Sequence, residues 1–230
     1  MFVLNNESNL YMKGVTVKNA YRGNDAKYNI PYEDYNGETS YLTNYQLYED
    51  YDTTHGNGSV ISQTNIASNI ELEDVSMTDN ASYGFGGAIY ALEGFTIRAV
   101  DNDVLFENNW QNAAISDPSA EKLNYTAREG YKLKQNDIYI YNKDDVTGQT
   151  YSATMTLSAV EGKTLQLKGG IEWAYTNETL YLQINKDGET GDVLIGGDFG
   201  GSTNYIIETA GGGIGYVDDK VGINYVKGVI

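Results

Sequence analysis

The 230-residue chain contains no cysteine, which excludes a disulfide framework, thiol catalysis and any cysteine-ligated metal. Its one histidine, His55, leaves no set for a multi-histidine centre. Basic residues are scarce, 15 Lys and Arg against 32 Asp and Glu, so the formal net charge is −17. Nucleic-acid binding needs a basic surface that releases counterions, and an anionic membrane surface attracts only polybasic segments, so both classes of partner are excluded. No apolar run approaches the length of a membrane span, so no direct membrane insertion of this chain is expected. The opening MFVLNNESN has neither the basic nor the apolar region of a signal peptide, and an export signal is expected outside this chain. Proline is also rare, with two residues.

What is present is glycine (26), tyrosine (21) and a spread of Val, Ile and Thr, a composition that favours strands over helices. At 40% hydrophobic the chain buries a core despite its charge. Its length suits one domain over residues 1–230, expected to be a piece of a longer protein.

Internal similarity organises that domain. SNLYMKGVTVKNA (Ser8–Ala20) aligns without a gap on SNIELEDVSMTDN (Ser68–Asn80), and DVSMTDN (Asp74–Asn80) aligns on DVLFENN (Asp103–Asn109). Each unit holds short period-two alternations separated by Gly, Asn or Asp corners, the pattern of strands with one face buried. Strand-sized runs continue at Asp137–Tyr141, Thr164–Leu167, Thr179–Ile184, Asp192–Ile195 and Asn204–Ile207. Repeated short units of this kind predict an all-β solenoid whose coils stack at the inter-strand spacing of about 4.8 Å. Asparagine suits the corners because it tolerates left-handed backbone angles and its amide can bond neighbouring backbone. The best tight-hairpin candidate is NKDGETGD (Asn185–Asp192). Trp110 and Trp173 are expected on the flank or at corners.

Two segments break the pattern. Residues Tyr21–Ser59 are polar, acidic and dense in tyrosine, and form a long loop excursion from one coil; Asn112–Gln135 form a shorter one. Long loops on a rigid scaffold commonly carry binding. Tyr28, Tyr32, Tyr35, Tyr41, Tyr45, Tyr48 and Tyr51 are the candidate binding residues, because tyrosine offers a rigid amphipathic surface at low entropic cost. Packing of the same rings onto the scaffold is the competing expectation.

At Gly86, Gly87, Ala88 and Ile89, followed by FENN from Phe106 to Asn109, the sequence resembles the GGA(I/L/V) and FxxN motifs of polymorphic outer-membrane proteins. NDIYIY, GKTLQLKGGI, LYLQIN and DVLIGGDF, in that order, resemble the closing part of autotransporter adhesin passengers. The resemblance extends over most of the chain. It implies a right-handed parallel β-helix, a single-stranded solenoid, exported to the bacterial cell surface and held at the outer membrane by a C-terminal barrel. The tail GYVDDKVGINYVKGVI does not run as membrane strands in series, so the barrel is expected elsewhere. Also implied are virulence-associated adhesion without catalysis, and a host protein or glycan receptor as partner.

Other chemistries fit the residues less well. Gly86–Ala88 is not followed by the GK[ST] of a phosphate loop, so a tight corner is the expectation there. Asn108 and Asn109 are expected to satisfy backbone groups at stacked corners. No cofactor is expected; calcium at Asp187 and Asp192, with Asn185 and Glu189, is the one metal set close in sequence, against a solvated turn as the plainer account. A polysaccharide lyase or glycoside hydrolase needs converging carboxylates, for which Asp101 with Asp103, Asp144 with Asp145, and Asp218 with Asp219 are the candidates. Self-association into a surface or filament assembly is the third reading, since solenoid ends need covering.

Overall fold

The computed structural model describes residues 1–4, 8–23, 29–33, 39–43, 56–63, 68–115, 124–141, 152–174, 180–201, 205–209 and 226–227. Among them the chain is all-β, with no helix, and most strands lie in stacked parallel sheets.

The chain visits the same sheets in the same order, circuit after circuit. The first circuit contains β1 (Phe2–Leu4), β2 (Asn9–Lys13), β3 (Thr16–Lys18) and β4 (Tyr21–Arg22). An antiparallel pair, β5 (Asn29–Glu33) and β6 (Thr39–Thr43), precedes the second circuit. That circuit holds β7 (Ile61–Gln63), β8 (Asn69–Glu73), β9 (Ser76–Thr78) and β10 (Ala81–Ser82). The third repeats it with β11 (Ile89–Ala91), β12 (Thr96–Ala99), β13 (Val104–Glu107) and β14 (Trp110–Gln111).

A second antiparallel pair then intervenes, β15 (Ala113–Ile115) with β16 (Tyr125–Ala127), and β17 (Lys134–Gln135) returns antiparallel to β14. The fourth circuit is β18 (Ile138–Tyr141), β19 (Ala153–Ala159) and β20 (Thr164–Leu167). The fifth is β21 (Gly170–Ala174), β22 (Leu180–Ile184) and β23 (Asp192–Ile195). Last come β24 (Asp198–Gly201) and β25 (Tyr205–Thr209), with β26 (Val226–Lys227) antiparallel to β23.

Three six-stranded sheets result. The first has order β1-β7-β11-β18-β21-β24 and the second β2-β8-β12-β19-β22-β25. The third has order β3-β9-β13-β20-β23-β26, and a short fourth joins β4, β10, β14 and β17. The internal alignment is realised as hydrogen-bonded register. Asn9 pairs with Asn69 and Lys13 with Glu73, as Ser8–Ala20 aligns on Ser68–Asn80. Met77 pairs with Phe106 and Thr78 with Glu107, as Asp74–Asn80 aligns on Asp103–Asn109.

Alternation sends one side chain in two to a common core. Its inward rows stack like on like: Ile61, Ile89, Ile138 and Ile171 in the first sheet, Leu72, Ile97 and Leu157 in the second, and Met77, Phe106, Leu167 and Ile195 in the third. Each such side chain is buried and contributes roughly 1.5–3 kcal/mol of transfer free energy. Corners between strands use left-handed backbone. Asn19, Asp79 and Asn108, equivalent in three successive circuits, have φ of 57°, 58° and 55°.

Two expectations are corrected. Asn185–Asp192 is not a hairpin turn, because β22 and β23 on either side of it pair in different sheets. The turn instead carries the chain around a corner of the circuit, with Gly188 N–H donating to the Asn185 carbonyl. Trp173 is not a flank residue: it points inward from β21 and is 4% exposed within the core. The ends of the Tyr21–Ser59 segment also belong to the stack. Tyr21 and Arg22 pair with Ala81 and Ser82, Arg22 donates to the Asn57 carbonyl at 2.7 Å, and Ser59 Oγ donates to the Gly87 carbonyl.

Gly87 shows how little room the stack leaves. A Cβ there would lie 2.5 Å from Asn109 C, Asn136 O and Trp110 N, all backbone of neighbouring circuits. Gly87→Ala is therefore expected to cost about 3 kcal/mol or more, measured by urea unfolding. Gly162→Ala, where φ is +76° but no atom lies within 4 Å, is expected to cost only about 1–2 kcal/mol. Equal losses at the two positions would contradict this packing.

Candidate functional site

The second sheet carries a solvent-open groove of about 380 Å³, lined by Asn69, Glu93, Gly94, Phe95, Thr96, Ser152, Thr154 and Thr156. Its walls follow from strand parity. Thr96 and Thr156 are register partners on β12 and β19, and both point away from the core because Ile97, Met155 and Leu157 point into it. Thr154 follows two residues before Thr156 on the same face. Asn69 begins β8, and Ser152 immediately precedes β19.

The turn that presents Glu93 is held from beneath. Buried Gln63 accepts from the backbone N–H groups of Leu92 and Glu93 at 2.9 and 3.0 Å, and donates to the Ser68 carbonyl at 2.6 Å. Gly94 lets this turn close onto β19: a Cβ there would lie 1.5 Å from the Thr154 carbonyl oxygen. The Thr156 N–H then donates to the Phe95 carbonyl at 2.9 Å. Phe95 itself faces the core and is 2% exposed. Burial raises the Glu93 carboxyl above the usual carboxylate range. Among the described residues, Glu93 is the only charged one lining the groove.

A second cluster lies on the outer face of the first sheet. Tyr90 and Tyr139 stack with centroids 6.0 Å apart, and Phe85 stacks on Tyr139 at 4.6 Å. The Arg128 guanidinium sits 3.5 Å from the Tyr131 centroid and 5.3 Å from that of Phe85. Arg128 Nε also donates to Asn112 Oδ1 at 3.1 Å. This cation is enclosed by the protein's own rings.

The sequence-derived candidates fall in three groups. Tyr28, Tyr35, Tyr45, Tyr48 and Tyr51 lie outside the described residues, as do Asp144, Asp145, Asp218 and Asp219. Tyr32 and Tyr41 are placed by backbone on β5 and β6, where Tyr32 pairs with Ser40 and Tyr41 with Pro31. The GGAI and FENN residues are structural: Ile89 and Phe106 are core, Ala88 and Asn109 are fully buried, and Gly86 has φ +69°.

The candidate carboxylates separate. Asp101 lies 3.5 Å from Lys13 Nζ, whereas Asp103 accepts the Thr164 N–H at 2.9 Å. Glu73, Asp74 and Asp101 form a tight acidic group. However, Lys13 pairs with two of the three, and Asp74 accepts the backbone N–H groups of Val100, Asp101 and Asn102. Burial alone would raise the Asp74 carboxyl, but those three donors and Lys13 hold it below its ordinary value. Of the calcium set, Asn185 is spent on Ala159 N–H and the Gly191 carbonyl, and Glu189 on Arg98 at 3.2 Å. Asp187 is exposed and Asp192 begins β23.

Asn109 belongs to a buried polar ladder. Asn80 Oδ1 accepts from Ala20 N–H, and Asn80 Nδ2 donates to Asn109 Oδ1 at 3.0 Å. Asn109 Nδ2 donates to the Met77 carbonyl and to Asp137 Oδ1 at 2.7 Å, while Asp137 Oδ2 accepts the Gly169 N–H at 2.7 Å. Sequence reasoning reached Asn109 but not Asp137, Glu93 or the threonines. The legible signal for the threonines was their outward parity in TIRA and ATMTLSA.

Comparison with family models, curated proteins and solved structures finds no match.

Burial pushes the Asp137 carboxyl up to about 7, against the N–H donors of Asn109, Gly169 and Gly170, which pull it down. A carboxyl raised on folding adds stability in full below its unfolded value of about 3.9 and loses it as pH rises through 7. Unfolding free energy is thus expected to fall between about pH 4 and pH 7, by on the order of 4 kcal/mol at 1.36 kcal/mol per pKa unit. Asp137→Asn should start less stable, because its NH₂ must face one of those donors, but lose most of that slope. A wild-type profile that is flat or rising across this range would refute the assignment.

Proposed function

We propose that the chain is a stretch of right-handed parallel β-helix from a bacterial cell-surface protein of the autotransporter-passenger kind, a non-enzymatic scaffold that displays loops for adhesion. What carries this reading is the way long segments leave and rejoin the circuits at one point. Residues 24–55 separate β4 from β7, yet a Cβ on Gly56 would be 3.2 Å from the Gly23 carbonyl oxygen. The two ends of the excursion therefore meet, and the stack continues beneath it through Ala81 and Ser82 pairing with Tyr21 and Arg22. Stacked circuits supply stiffness, and the tyrosine-rich excursion supplies contact surface for a host protein or glycan. GGAI and FENN act in this reading as stacking devices.

A second reading, self-association, is favoured by one observation. Of the exposed large apolar side chains among the described residues, all but Tyr131 lie in the first circuit: Met1, Phe2, Val3, Tyr11 and Val15. A second copy, or a further circuit of a longer chain, seated against that circuit would cover them. Sedimentation over a wide concentration range separates the two readings, since a monomer throughout rejects association.

Replacing residues 24–55 by a short Gly/Ser linker, with Gly23 and Gly56 kept, should leave cooperative unfolding intact and shift the midpoint by only a few degrees. The same variant should abolish adherence of protein-coated beads to cultured epithelial cells or to a glycan array. Loss of cooperative unfolding would make the excursion part of the core and remove the display reading. Adherence equal to wild type would remove the tyrosines from it.

A further inference from the structure

We propose that the groove on the second sheet binds an uncharged saccharide. This inference stands on the groove's own geometry and does not require the tyrosine-rich segment to bind anything.

Four of the eight lining residues carry hydroxyls, Thr96, Ser152, Thr154 and Thr156, and Asn69 and Glu93 add an amide and a carboxyl. Hydroxyls and amides both donate and accept, so such a wall matches a polyol, whose own hydroxyls do the same. Thr96 and Thr156 sit on adjacent strands and Thr154 and Thr156 on one strand, so three hydroxyls form a corner fixed by the sheet and not by a loop; Thr156 Oγ1 donates to Gln183 Oε1 at 3.2 Å and so faces a ligand as an acceptor. A site preorganised this way loses little side-chain entropy on binding, because threonine is stiff at χ1. The volume of about 380 Å³ falls within the range of small-molecule sites, about 300–1,000 Å³.

The competing ligand classes fit worse. Among the described residues no lysine or arginine lines the groove, and an anion would meet Glu93 and a chain of net charge −17. A calcium ion takes six to eight oxygens with several carboxylates, and the described residues of the groove offer one carboxylate. An apolar ligand would find polar walls, since Phe95 is turned into the core.

Glu93 supplies direction. It is half-buried at the end of the turn that Gln63 clamps, and it accepts a ligand hydroxyl from a fixed position. A hydrogen bond to such a group is worth more than one to a neutral partner.

The test is a two-dimensional amide NMR titration of the whole chain with maltose, cellobiose, lactose and chitobiose at millimolar concentration, beside digalacturonate and calcium chloride alone. At least one neutral disaccharide should shift the amides of Glu93, Gly94, Thr96, Thr154 and Thr156 saturably, and the other two probes should not. Thr154→Val with Thr156→Val keeps β-branching and shape while removing two hydroxyls, and should weaken binding roughly ten-fold or more. Unchanged thermal unfolding would show that this variant is folded; if it is not, Thr96→Val is read in the same way. Glu93→Gln keeps an acceptor but loses the charge, and should weaken binding by less than the double threonine variant does. Absence of saturable shifts with all four neutral sugars overturns the proposal. So does equal or stronger response to digalacturonate or calcium, or binding that survives loss of the hydroxyls but not of the Glu93 charge.

Discussion

Every strand in this protein must present the same parity as the strand it lies on. Successive circuits are joined by parallel hydrogen-bonded register, so Ile97 lies between Leu72 and Leu157, and Ile89 between Ile61 and Ile138. A slip of one residue in any circuit would turn a whole inward row outward and set its polar neighbours against the core. Tolerance for error is therefore small at each strand and does not grow with length. The corners enforce the register, because Asn19, Asp79 and Asn108 take left-handed backbone at equivalent points and end the stacked strands at the same register position.

The same stacking governs charge. Outward residues of adjacent circuits are forced into contact at the inter-strand spacing, which would bring like charges together in a chain with 32 acidic residues. The few cations are spent there. Lys13, Glu73 and Arg98 are consecutive register partners with alternating sign, and Lys168 pairs with Glu107 one circuit away. Each exposed pair contributes little to stability by itself, but its placement prevents a repulsive row. Where polar groups go inward they form a ladder, Asn80 to Asn109 to Asp137, in which Asn80 and Asn109 satisfy the preceding circuit's backbone and Asp137 the following circuit's.

Strand positions were largely readable because the alternation is regular and the internal repeats are local. TLQL and DVLI are strands from first residue to last, and the LYLQI of TLYLQI is β22. The reading of Asn185–Asp192 as a hairpin failed because a turn motif reports local bending and not which sheet the next strand joins. Trp173 was misplaced because a single large side chain carries no periodicity of its own; its inward position follows from parity with Ile171 on β21. Of the groove, no residue stood out in sequence. Asn69, Glu93 and Thr154 are brought together from separate circuits by the register alone, and one half-buried acid among many exposed ones has no sequence signature.

The sequence by itself determined the all-β class, the unit of repetition and the pairing of Ser8–Ala20 with Ser68–Asn80, because these depend on alternation and on corner residues that act locally. Only the tertiary structure decided which outward side chains meet across circuits. That choice set the ionisation of Asp137, the hydroxyl corner of Thr96, Thr154 and Thr156, and the meeting of Gly23 with Gly56 beneath a long excursion. The physical reason is distance along the chain: burial and proximity arise between residues of different circuits, and no local pattern records them.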